Sequence, residues 1–147
     1  MAFLSSLNIS GSALTAQKLR MDVIAQNISN AQTTRTESGE PYRRKMVVFQ
    51  ENDNQSKFEN ILTDAQEKTQ YTGGVKVSGV VEDQSDLKPV YDPSNPDANE
   101  NGYVMMPNVD TAKEMIDMIS STRSYEANVT AFNSIKAMAE KALDIGR

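Results

Sequence analysis

Asp110, Glu114 and Asp117 are the residues of this sequence best placed for acid–base chemistry. At helical spacing the three carboxylates share one face. Two carboxylates in unlike surroundings can divide the roles of general acid and general base. They also open a predicted helix, where acidic side chains favour the positive end of the helix dipole whether or not they react. Composition favours that second reading. The 147 residues include no Cys and no His. Thiol nucleophiles, Ser-His-Asp triads, disulfides and the common zinc sites are therefore excluded together. No catalytic, cofactor-binding or metal-binding residue is assigned, no cofactor is expected, and the chain is read as a non-enzyme.

Arg43-Arg44-Lys45 is the one local basic run. Net charge is −5 with both signs mixed along the chain, whereas nucleic-acid binders usually carry a basic excess or a basic face. The run is read as a solvated strand or loop surface, and no nucleic-acid partner is expected. No apolar run approaches the roughly 20 residues that span a bilayer, so no membrane insertion is expected. Met1 to Ser12 lacks the basic start and apolar centre of a cleaved secretory signal. Mean hydropathy is −0.54, and aromatics amount to five Tyr, four Phe and no Trp. No large central core is expected from such a composition.

Two segments carry helical spacing. Across Phe3 to Ala31, Leu7, Leu14, Met21 and Ile28 recur every seven residues. Leu4, Gly11 and Ala25 fall between them, Lys18 breaks the second line, and Ile24 widens the stripe. Val109 to Ile145 is longer. Met115, Met118, Tyr125, Val129, Phe132, Ala139 and Leu143 lie on one heptad seam, with Thr122 and Lys136 as its polar members. Ile116, Ile119, Ile135, Met138 and Ala142 sit beside it. An apolar line every 3.5 residues is the pattern of a helix docking on a helix. Asn108, Asp110 and Thr111 offer N-caps, and Thr111 with Glu114 fits the capping-box spacing. Gly146 is the expected stop. The second helix would be about 54 Å long.

Between them, the middle of the chain holds all five prolines and five of the seven glycines. Tyr42 to Gln50 and Val75 to Val81 read as strands, the second following the turn signal Gly73-Gly74. Leu87 to Tyr91 and Tyr103 to Met106 read as shorter strands. Asp92 to Gly102 is nearly all turn formers and reads as a loop. Residues 51–70 read as a long loop or a short helix. The expected fold class is α+β: two long terminal helices packed as an antiparallel coiled-coil-like pair around a small β-hairpin and loop-rich middle. The expected divisions are 1–32, 33–107 and 108–147.

Isolated helices depend mostly on tertiary packing, and a lone two-helix hairpin covers only one side of each stripe. Ordering of the ends is therefore expected when further copies cover the rest. The residues assigned to that assembly interface in the first helix are Leu4, Leu7, Leu14, Met21, Ile24, Asn27, Ile28 and Asn30. In the second they are Met115, Met118, Ile119, Tyr125, Val129, Phe132 and Leu143. An ordinary intramolecular hairpin, with Tyr125 and Phe132 as core knobs, uses the same residues.

The run Asn27-Ile28-Ser29-Asn30-Ala31-Gln32-Thr33, continuing through Pro41-Tyr42-Arg43-Arg44-Lys45, resembles the signature of flagellar rod and hook proteins. Val90-Tyr91-Asp92-Pro93-Ser94-Asn95-Pro96, Gly102-Tyr103-Val104, Pro107-Asn108-Val109-Asp110 and Arg123-Ser124-Tyr125-Glu126-Ala127-Asn128 resemble the same family. The likeness covers nearly the whole chain and is weakest at 51–70. It implies a structural subunit of the basal-body rod, built into an axial tube by its terminal helices and transmitting torque across the periplasm. It implies export by the flagellar type III apparatus without a cleaved signal peptide. The partners it implies are copies of the chain, related rod proteins, the export apparatus and neighbouring basal-body proteins. A type III secretion chaperone or adaptor, holding one client with the same helices, is the alternative. Asn27 and Asn30 are expected to end the first helix and fix the exit of the chain.

Overall fold

The computed structural model describes residues 2–52 and 73–145. Helix α1 spans Ala2–Ser29 and helix α2 spans Thr111–Ile145. Between them lie strands β1 (Lys45–Glu51), β2 (Val75–Glu82), β3 (Lys88–Tyr91) and β4 (Tyr103–Met106). β1 pairs with β2, and β3 with β4, as two separate two-stranded sheets. The α+β class, with long terminal helices and a small antiparallel sheet region, is the one expected. Residues 53–70 of the expected loop, and Gly146 as a helix stop, lie outside the described residues.

The chain divides into two compact units. One is made of residues up to Lys18, Phe49–Ser78 and residues from Arg123 onward. In it the bend at Gly73-Gly74 lies against α1. Ser12 Oγ accepts the Val75 N–H at 3.0 Å and donates to the Ile9 carbonyl at 2.7 Å. A Cβ on Gly73 would stand 2.7 Å from Ile9 Cδ1, and Gly74 has a φ of +127°. The left-handed backbone at Gly74 favours glycine, which has no Cβ to strain there. Ala16 is this unit's buried apolar residue on α1. Gln17 Oε1 is buried with no partner among the described residues.

The other unit holds Leu19–Val48 and Gly79–Thr122. Its apolar core is small: Val23, Ile24, Tyr42, Val104 and Val109. Here α1 and α2 run antiparallel. Thr122 Oγ1 meets Met21 Sδ at 3.6 Å, and Asn27 meets Glu114 six residues further along α1 and eight back along α2. The 92–102 loop is stitched by its own side chains. Asp92 Oδ1 accepts from Ser94, Asn95 Oδ1 from Asp97, and Asn99 Oδ1 from Asn101 and Tyr103. This is the local hydrogen bonding that makes Asn and Asp turn formers.

Three local expectations are corrected. The N-cap of α2 is Asp110, one of the three residues offered, whose Oδ1 accepts from the Ala112 and Lys113 N–H groups at 3.0 and 3.3 Å; the capping box is what fails. No Thr111–Glu114 box forms, because the Glu114 carboxylate is drawn inward by cationic and amide partners. β1 begins at Lys45 rather than Tyr42, because Tyr42 to Arg44 spend their polar groups on other elements. Lastly, the expected seam on α2 holds only in part: Met118, Thr122, Tyr125, Val129, Phe132 and Ala139 are half-buried, Met115, Lys136 and Leu143 are exposed, and Glu114, Ser121, Asn128 and Ile135 beside the seam are buried or half-buried.

Candidate functional site

The second unit is held by a buried polar clasp. Asn27, on α1, is 1% exposed and uses its full hydrogen-bonding capacity. Nδ2 donates to the Lys45 carbonyl at 2.8 Å and to Glu114 Oε2 at 2.9 Å. Oδ1 accepts from the Tyr42 hydroxyl at 3.0 Å and the Lys45 N–H at 2.9 Å. An amide side chain has two donors and two acceptor lone pairs, so nothing is left over. One side chain thus ties α1, the start of β1 and the first turn of α2. The expectation that Asn27 ends the helix is corrected: α1 runs on to Ser29. Asn30 does the terminal work, its N–H and Nδ2 both reaching the Gln26 carbonyl.

Arg44 completes the clasp. Its Nε stands 2.7 Å from Glu114 Oε1, its Nη2 3.5 Å from Asp117 Oδ2, and its Nη1 3.8 Å from Asp83 Oδ2. Its side chain is 17% exposed and that of Glu114 1%. The expected solvated basic run is therefore corrected at Arg44. A planar guanidinium with five fixed donors suits convergence on several carboxylates. Asn108 closes the far side. Its Oδ1 accepts the Arg44 N–H at 2.8 Å, and its Nδ2 donates to the Asp83 carbonyl at 3.1 Å and Ser85 Oγ at 2.8 Å.

The electrostatics follow the geometry. Burial, then the Glu114 and Glu82 carboxylates, push the Tyr42 hydroxyl above the usual tyrosine range. Hydrogen bonds from Ser85, backbone first and then side chain, with Arg44 behind them, hold Asp83 below the usual carboxylate range. Of the carboxylates considered for acid–base work, Asp110 caps the helix while Glu114 and Asp117 are ion-paired to Arg44. Saturated by donors, this arrangement joins elements. Among the described residues no group of His, Cys, Asp and Glu is arranged to hold a metal ion.

Opposite Glu114, the first turns of α2 are apolar and open: Ile116 is 67% exposed, and Met115 and Ile119 are 55%. Further along the helix Met138 is 62% and Leu143 75% exposed. Of the residues assigned to assembly, these include Met115, Ile119 and Leu143. Met118, Tyr125, Val129 and Phe132 are half-buried, as are Leu7, Leu14, Met21, Ile28 and Asn30. Ile24 and Asn27 are buried, and the side chain of Leu4 lies outside the described residues. Sequence reasoning missed Tyr42, Arg44, Asp83 and Asn108 as members of one cluster. A signal existed. The 3.5-residue line through Glu114 shares Met118, Tyr125, Phe132 and Ala139 with the seam preferred, and it begins on an acid that needs a cation.

Residues 7–35 match the family of flagella basal body rod proteins, and residues 100–145 match the C-terminal family of flagellar basal body rod FlgEFG proteins. Curated relatives extend the likeness along the chain. A flagellar basal-body rod protein FlgC of Bacillus subtilis is 55% identical over 97% of each chain. That of Salmonella typhimurium is 46% identical over all of both chains. That of Borreliella burgdorferi is 42% identical over 99% of this chain and 98% of its own. On this likeness, together with the motifs at Asn27–Lys45 and Pro107–Asp110 that prove to build the clasp, the chain belongs to the flagellar basal-body rod protein FlgC family.

Proposed function

We propose that the chain is a structural, non-catalytic subunit of the flagellar basal-body rod, and that it assembles through the outer faces of its terminal helices. The observation that carries this reading is the open stripe Met115–Ile116–Ile119 on α2. Three large apolar side chains stand side by side in water, opposite a face that is closed by charged and amide groups. Exposed contiguous apolar surface of this kind marks an interaction site. A helix whose neighbours are further helices would cover it by ridges meeting grooves.

In this reading residues 1–32 and 108–147 form the tube wall and 33–107 the outward segment. The clasp sets the angle at which that segment leaves the wall. Copies of the chain and related rod proteins are the partners, the export apparatus delivers the chain without a cleaved signal, and the rod carries torque across the periplasm. No observation favours the chaperone alternative.

The test replaces Ile116 and Ile119 together by Ser. The expected outcome is a folded, exported subunit that is absent from purified basal bodies, with motility lost. Normal incorporation of the double variant would overturn the assignment of this stripe.

A further inference from the structure

The loop between β3 and β4 ends on the chain's one Asn-Gly pair, Asn101-Gly102. Asn101 is exposed, so water and base reach it. An Asn followed by Gly can react with its own backbone, because no Cβ on the next residue obstructs the approach of the side-chain carbonyl carbon to the following peptide nitrogen. The Gly102 nitrogen gives its proton to solvent base and bonds to Asn101 Cγ. The Cγ–Nδ2 bond breaks, and the side-chain nitrogen takes a proton from solvent and leaves as ammonia. Water then opens the cyclic imide at either carbonyl. One opening leaves an aspartate. The other leaves an isoaspartyl link, in which the main chain runs through the former side chain and is longer by a methylene.

In the folded chain the attacking nitrogen is tied down. The Gly102 N–H donates to the Asn99 carbonyl at 2.9 Å and closes a turn. Asn99 Oδ1 accepts the N–H groups on either side, from Asn101 at 3.1 Å and Tyr103 at 2.9 Å. Asn99 thus holds three successive peptide N–H groups. Downstream, the Gly102 carbonyl accepts the Asp92 N–H at 2.9 Å. Gly102 has a φ of +77°, and a Cβ on it would stand 2.9 Å from Tyr91 Cε2. The peptide nitrogen that must lose its proton is therefore a hydrogen-bond donor inside a turn fixed from both sides.

We propose that Asn101 is a deamidation site that this turn holds closed, with Asn99 as the lock. The site reacts when the turn opens locally, an event that needs far less free energy than unfolding the whole chain. Reaction is then self-sustaining. The lengthened backbone of the isoaspartyl product displaces Gly102 and Tyr103 from Asn99, so the bonds that closed the turn do not all re-form. Both products also add a negative charge beside Glu100. The site belongs to the β region, and it stands whether or not the stripe on α2 is an assembly surface.

The experiment incubates the full-length chain at mildly alkaline pH, folded and in urea, and follows the Asn, Asp and isoaspartyl forms at position 101 by peptide mapping with mass spectrometry. Conversion is expected to be at least about tenfold slower in the folded chain than in urea. Asn99→Ala removes the side-chain oxygen and should bring the folded rate close to the urea rate. Asn99→Asp keeps an acceptor oxygen and should stay near the parent rate, which separates loss of the lock from a general folding defect. Equal rates in the folded chain and in urea, or no conversion at 101 in urea, would overturn the proposal. So would an Asn99→Ala variant as slow as the parent, or an Asn99→Asp variant as fast as Asn99→Ala.

Discussion

The two sides of the first turns of α2 break the usual division of a soluble protein in opposite directions. Glu114 is 1% exposed and Ile116, two residues on, is 67% exposed. Charged groups are among the least often buried, and they enter a protein interior only when paired. Glu114 meets that condition through Arg44 and Asn27, and the clasp thus fixes which way the helix faces. With that side closed by polar partners, the apolar side is left outward. The contrast teaches that the clasp specifies geometry within one chain, while the stripe, on the function proposed above, is left for contact with another.

Breaking the clasp should have the largest effect. Arg44→Ala leaves the Glu114 charge buried without its cation and is expected to destabilise the fold by about 3–5 kcal/mol, read by urea unfolding. A loss below 1 kcal/mol would mean that the ion pairs are incidental. Asn27→Ala strips partners from Tyr42, Lys45 and Glu114 at once and should cost about 2–4 kcal/mol. Tyr42→Phe removes a single hydroxyl that Asn27 accepts, and about 1–2 kcal/mol is expected.

The titrating members of the clasp sharpen the comparison, because the stripe has none. Tyr42 has a raised folded value, so its neutral form is favoured by folding. Its contribution is complete below the ordinary tyrosine value of about 10 and is lost as pH rises through the folded value. Tyr42→Phe should remove that alkaline decline. Asp83 has a depressed folded value and the opposite sign. Its contribution is complete above the ordinary aspartate value of about 4 and is lost as pH falls through the folded value. Asp83→Asn should flatten the acid limb of a pH–stability curve. The smallest stability effect belongs to the stripe itself. Ile116→Ser with Ile119→Ser should shift unfolding by no more than about 0.5 kcal/mol per site, because these side chains are already in water. A cost of several kcal/mol would show that they pack within the chain.

Much of this was legible in the sequence, and what was not has a physical cause. The long helices, the Gly73-Gly74 turn and the 92–102 loop follow from periodicity and turn chemistry, which are local. The orientation of α2 is not local. Two 3.5-residue lines, one beginning at Glu114 and one at Met115, share Met118, Tyr125, Phe132 and Ala139. The choice between them depends on Arg44, 70 residues away in sequence. Asn27 likewise looks like a helix terminator until Tyr42 and Lys45 fold back onto it.

The two-sided character of α2 is tested most directly by oxidising methionines with dilute peroxide in the free subunit and in purified rods, and mapping the products by mass spectrometry. Met115, 55% exposed in the single chain, should oxidise readily when free and be protected in the rod. Half-buried Met118 should differ less between the two states. Equal oxidation of Met115 in both would contradict the claim that assembly covers this face.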